Sequence, residues 1–324
     1  NDGYVDVIFH GPATGGGPQL YLNDGDNTFS ASYSFGDLGA YERSIVLADI
    51  NNDGRRDVFF TLPIMLFEND TGSSFTDITA SSQMVNANPE GAAALDYDND
   101  GWLDLVHPDG DIGDINLWQN DGDETFTETT AAAGLPTGGL GNGEWSGTAD
   151  YDADGDMDIF HAADTTLYLY RNDGDNTFTD ISVSSGLGAG TLSDNIGWCL
   201  GDYDNDMDFD LLVLHSGTNI NTLYRNNGDD TFTDVTSSSG DINTVTASST
   251  GCAAGDFDND GDIDFYVVND GQADDLFSND GDNTFTEIGA TVGIANNNAN
   301  KSRTGASLAD MDNDGDLDVF VNQS

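Results

Sequence analysis

The side chains able to do chemistry in this chain are carboxylates, and they recur in register. A nine-residue string, D-x-D-x-D-G-x-x-D, places Asp96, Asp98, Asp100 and Asp104 around Gly101. It returns as Asp150, Asp152, Asp154, Asp156 and Asp158, as Asp256, Asp258, Asp260, Asp262 and Asp264, and as Asp310, Asp312, Asp314, Asp316 and Asp318. Two copies vary. One reads Asp49, Asn51, Asp53 and Asp57, with asparagine third; the other reads Asp202, Asp204, Asp206, Asp208 and Asp210, with Met207 where glycine is expected. A partial copy at the start keeps Asp2 and Asp6.

Alternate residues of a tight loop can turn several oxygens inward, and a calcium ion takes roughly six to eight oxygens at about 2.3–2.6 Å. Positions 1, 3 and 5 supply Asp or Asn oxygens, glycine at 6 permits the sharp turn, and Asp at 9 closes the shell. Position 7, here Arg55, Trp102, Asp156, Asp208, Asp262 or Asp316, offers its backbone carbonyl. Zinc lacks His or Cys partners in these strings, and magnesium favours fewer carboxylates with more water. The expected cofactor is Ca2+ in about six sites, with the partial copy as an open seventh. A single Asp-Asn-Asp-Gly string would read equally well as a plain turn. Six near-complete copies, each keeping the ninth-position Asp, favour metal. Met207 weakens its loop by demanding a left-handed residue with a Cβ, and Asn51 removes one charge from its own.

The chain that must position these loops has 324 residues, with 7 Lys+Arg against 60 Asp+Glu for a net charge of −53. No basic stripe is present to neutralise phosphates, so nucleic acid is a poor partner, and anionic membrane surfaces are disfavoured for the same reason. No apolar run approaches the roughly 18 residues of a membrane helix. With 37% hydrophobic and 10% aromatic residues there is enough to build a core. Six bound divalent ions would move −53 only to −41, so the surface stays strongly acidic. The chain begins at Asn1 without an initiator methionine, which reads as processed, trimmed or a fragment.

The ninth-position acids fall at 6, 57, 104, 158, 210, 264 and 318, a mean period of about 52 residues. Between them recurs L-[YFW]-x-N-D-G-D-x-T-F, from Leu20, Leu66, Leu117, Leu169, Leu223 and Leu276, with small departures. Its Asn-Asp-Gly cluster reads as a hairpin turn and its closing Phe opens an alternating strand. Apolar runs such as Leu211–Leu214 follow the acidic loops and suit strands covered on both faces. Small residues precede the loops, as in Ala92-Ala93-Ala94 and Cys252-Ala253-Ala254-Gly255. Such residues suit innermost strands crowded around an axis. Four strands per repeat and no amphipathic helix predict an all-β fold: a β-propeller of four-stranded antiparallel blades, one domain over residues 1–324. Seven acidic loops against six hairpins favour seven blades with incomplete terminal blades; six is the alternative.

These loops, with hairpins such as Leu223-Tyr224-Arg225-Asn226-Asn227-Gly228 and strands such as Phe178-Thr179-Asp180-Ile181, resemble FG-GAP/VCBS-type calcium-binding repeats. Such repeats occur in integrin α-subunit propellers and many secreted bacterial proteins, and these hairpins are most similar to the bacterial and cartilage-acidic-protein branch. The resemblance covers nearly the whole chain. It implies calcium in the hairpin between the first two strands of each blade. It also implies an extracellular setting (secreted, cell-surface or periplasmic) and a role in adhesion, recognition or scaffolding.

Other chemistry is sparse. No Gly-x-Ser-x-Gly, phosphate-cradling loop or HExxH occurs, and no enzyme is expected. His10, His107, His161 and His215 all follow second-strand runs and read as polar residues ending a buried strand. Cys199 and Cys252 lie on adjacent innermost strands with opposite parity, so a disulfide and two free thiols both stand open. Sequons fall at Asn69, Asn300 and Asn322. The partner expected is a protein or glycan at the cell surface, or another copy of the chain completing an unfinished blade. A lectin-like module, with Trp102, Trp118, Trp145 and Trp198 as platforms, and an ancillary domain of a polysaccharide-degrading enzyme are the alternatives.

Overall fold

A computed structural model describes residues 3–9, 17–38, 44–61, 63–84, 91–110, 114–188, 197–217, 219–294 and 303–323. Asp2, His10, Asn300 and Lys301 lie outside them. The chain divides into two compact units. The first comprises Asn1–Asp150 with Asp154–Val183, the second Tyr151–Ala153 with Ser184–Ser324.

Both units are built from the same antiparallel meander. In the first, the blade Gly143–Ala149, Asp158–Ala163, Thr166–Asn172 and Phe178–Asp180 runs in that order across its sheet. Its register pairs Ile159 with both Thr148 and Tyr170, and Tyr170 with Asp180. Every residue of the second strand is buried, because both of its faces meet apolar neighbours. The fourth strand buries only Phe178 and leaves Thr179 and Asp180 in water. Two further four-stranded blades and one three-stranded sheet (Val7–Phe9, Gln19–Asn23, Phe29–Ser34) complete this unit. Its core lies between blades: Leu95, Val106, Ile115 and Leu117 of one sheet pack on Ile159, Tyr170 and Phe178 of the next.

The second unit repeats the arrangement with the blades of 198–234 and 249–287 and the two-stranded sheet Arg303–Ala309 and Asp318–Gln323. Leu212, Leu214 and Leu223 meet Phe265, Val267, Phe277 and Phe285 between its blades. The expectation of small inner strands holds. A Cβ on Gly201 would stand 2.9 Å from Ile263, and one on Gly255 2.8 Å from Leu317. Cys199 and Cys252 are disulfide-bonded across adjacent inner strands, with Cα atoms 5.9 Å apart.

The fold is therefore an all-β propeller of four-stranded antiparallel blades, and its terminal sheets are incomplete as expected, but the expected count of seven does not hold. Among the described residues the strands fall into five complete blades, one sheet of three and one of two. That is six blades' worth of strands and one over, so the seven-bladed reading gives way to six. The reason lies in the repeat itself: a whole blade needs both an acidic loop and a hairpin, and only six hairpins exist.

Candidate metal centre

Each acidic loop joins the first strand of a blade to the second, and two left-handed residues curl it. Position 4 has φ between 55° and 60° at Asn52, Asn99, Ala153, Asn205, Asn259 and Asn313. Position 6 has φ of 86° to 98° at the glycines and 77° at Met207. The first carboxylate then caps the turn: Asp96 accepts the Asp100 N–H at 3.1 Å and the Gly101 N–H at 3.0 Å. Asp202 does the same for Asp206 and Met207, so the methionine leaves the loop's shape intact. The fifth carboxylate accepts the N–H of position 7, at 2.9 Å for Asp100 and Trp102.

The ninth aspartate has a structural duty that its place in the repeat did not disclose. Asp104 Oδ2 accepts the Tyr97 N–H at 3.0 Å and its Oδ1 accepts the Asn120 N–H at 2.7 Å. The loop is thereby tied to the third strand. Asp57, Asp210 and Asp264 repeat both bonds, and Asp6 makes the second one to Asn23. The partner asparagine, read from sequence only as part of a turn, staples neighbouring blades. Asn172 Nδ2 donates to Tyr97 O at 2.8 Å, and its Oδ1 accepts the Gly174 N–H at 3.1 Å. Asn120, Asn226 and Asn279 do likewise. The signal was present in the sequence, since this asparagine stands in all six hairpin units.

Five loops bring three carboxylates together with an oxygen of each within 4.8 Å of the others: Asp96, Asp98 and Asp104; Asp150, Asp152 and Asp158; Asp202, Asp204 and Asp206; Asp256, Asp258 and Asp260; Asp310, Asp312 and Asp318. Burial, with backbone N–H donors opposing it, holds Asp104 up at about 7, Asp210 at about 8 and Asp264 at about 6. Burial and then adjacent carboxylates raise Asp98, Asp204 and Asp258 as well. Asp204 Oδ1 is buried without a hydrogen-bond donor. An all-oxygen set, crowded, partly desolvated and short of donors, fits a hard divalent cation.

The remaining loop differs. Among the described residues Asp49, Asp53 and Asp57 form no such group, the Asn51 amide turns to Glu68, and Arg55 places its guanidinium on Asp53. Elsewhere the seventh-position side chain turns to the hairpin: Trp102 lies against Gly122, and Asp156 against Gly174. The hairpin acids are satisfied locally, as where Asp121 accepts from Thr125 and Thr127. His107 and His161 are fully buried, and burial pushes them down to about 4 and about 3. His107 accepts the Trp118 indole N–H at 3.2 Å, which takes that tryptophan into the core. Asn69, the first residue of one sequon, is buried with its amide on Arg56 O.

Family models for the FG-GAP-like repeat match residues 1–60, 150–213, 202–267 and 256–321. Among solved structures, an Agrocybe aegerita lectin that recognises non-reducing terminal N-acetylglucosamine is 20% identical with a TM-score of 0.53. That match covers 87% of this chain and 78% of the lectin. YCF48 bound to D1 peptide is 10% identical with a TM-score of 0.56, covering 100% of this chain and 93% of that one. At such identities the likeness is one of fold. No curated protein matches the sequence. The repeated acidic loop, the blade it opens and the matched family together lead to one conclusion: the chain belongs to the FG-GAP-like repeat family.

Proposed function

We propose that this protein is an extracellular calcium-binding propeller that serves recognition or surface assembly without catalysis. The observation that carries the reading is the fivefold return of three carboxylates on one loop geometry, one of them with a buried oxygen lacking any donor. Positions 1, 3 and 9, or 1, 3 and 5, would hold the ion, with the fifth carboxylate also steadying the backbone of position 7. Bound calcium supplies two positive charges where the chain itself supplies almost none. The ninth aspartate transmits that order into the third strand, so filling a loop stiffens its blade. The Cys199–Cys252 bond supports an oxidising setting outside the cytosol. Among the described residues no helix is long and apolar enough to cross a membrane.

The test is calorimetric titration with calcium, together with melting in calcium and in chelator. About five tight sites and a weaker one at 49–57 are expected, with the melting temperature falling by more than 10 °C in chelator, since unfolded chain cannot assemble the sites. An unchanged melting temperature would remove the reading.

A glycan-binding module is the second reading. Trp145 is 36% exposed and lies over Gly91, giving an aromatic face of the kind sugars stack on. A blank glycan array would exclude it.

A further inference from the structure

We infer that neighbouring acidic loops are wired together through the asparagine at their fourth position, so that filling one loop favours filling the next. The inference rests on the calcium reading above. Asn99 Nδ2 donates to Asp156 Oδ1 of the following loop at 2.5 Å. Asn205 donates to Asp262 Oδ1 at 2.6 Å, and Asn259 to Asp316 Oδ1 at 2.7 Å. The first loop makes a variant of this link, Asn52 to Gly101 O at 2.9 Å.

Both ends of each link belong to the metal-binding backbone. The donor sits between ligand positions 3 and 5 with a left-handed φ of 55° to 60°, so its amide is in place only when that arc of the loop is curled. The acceptor is the side chain of position 7, whose own N–H is held by the fifth carboxylate: Asp156 N–H by Asp154 at 2.9 Å, Asp262 N–H by Asp260 at 3.0 Å. The other oxygen of that acceptor lies over the bare hairpin glycine, in the space a side chain would take, since a Cβ there would stand 2.7 Å from Asp156 Oδ2 or 2.8 Å from Asp262 Oδ2. A carboxylate fixed on both sides fixes its backbone, and with it the carbonyl that position 7 offers the ion. Order in one loop therefore reaches the next through a single amide, and linkage makes the effect mutual.

Ala153 breaks the series. It keeps the left-handed φ, at 58°, but has no amide to give. Loops 49–57, 96–104 and 150–158 form one coupled stretch, and loops 202–210, 256–264 and 310–318 another.

Hydrogen-exchange mass spectrometry during a calcium titration of the whole chain tests this loop by loop. The reading is the calcium concentration at which the Asp154, Gly155 and Asp156 amides become protected. Asp98→Ala, which removes the third-position oxygens and disables loop 96–104, is expected to raise that midpoint about fivefold, the scale of one net hydrogen bond. On an Asn99→Ala background the same substitution should add nothing. Asp152→Ala, which disables loop 150–158, should leave the midpoint of loop 202–210 in place, and this arm alters no asparagine. A shift of equal size on both backgrounds, no shift without Asn99→Ala, or an equal shift in loop 202–210 overturns the relay while calcium binding stands. If calcium protects no loop at all, the calcium reading fails and the relay falls with it.

Discussion

Met207 occupies a backbone conformation that belongs to glycine, with φ of 77° and a side chain 86% exposed. Its Cβ is strained and its side chain buries almost nothing in return. Met207→Gly should therefore stabilise the protein by about 1 kcal/mol, read as a higher urea midpoint at unchanged slope. The structure also alters the ranking that the sequence suggested. Loop 202–210 is fully built despite Met207, whereas loop 49–57 turns Arg55 onto Asp53. The ninth aspartates govern the response to pH. Their folded values, about 7 for Asp104, 8 for Asp210 and 6 for Asp264, lie above the ordinary 3.8. Between those limits the native state binds more protons than the unfolded chain, so its stability falls as pH rises. Metal-free protein should melt at a lower temperature at pH 8 than at pH 5. The gain from calcium should widen over the same interval, because binding needs ionised carboxylates. A metal-free melting temperature that climbs with pH would contradict this.

At the scale of the element, the blade was legible and its fastenings were not. Strand order followed from the alternating Phe-Thr-Asp stretches and from apolar runs such as Leu211–Leu214, since burial on one or both faces writes itself into local sequence. The asparagine staple was read as a turn because its partner carbonyl lies 75 residues away at Tyr97 for Asn172. Removing it leaves buried groups unpaired at Tyr97 and Met157 and frees the Gly174 N–H. Asn172→Ala should cost about 2–4 kcal/mol in urea unfolding, while Asp175→Ala on the exposed hairpin should cost less than about 1. Equal losses would mean that the staple carries no special weight.

For the molecule as a whole, charge decides the conditions under which it stays folded. At −53 the metal-free chain repels itself, and salt screens the exposed part of that repulsion. Raising salt from 0.1 to 1 M should recover part of the melting temperature lost to chelator but not all, because Asp104, Asp210 and Asp264 are buried beyond the reach of counterions. Full recovery in salt alone would show that the loops need no specific ion. The sequence by itself determined the repeat, the all-β blade and the acidic loop, because these depend on periodicity and on ligand spacing within nine residues. Only the tertiary structure decided the number of blades, the Cys199–Cys252 bond, the Arg55 pair that unmakes one carboxylate group and the asparagines that join blade to blade. Each of these depends on which distant segments become neighbours, and no local pattern of residues encodes that meeting.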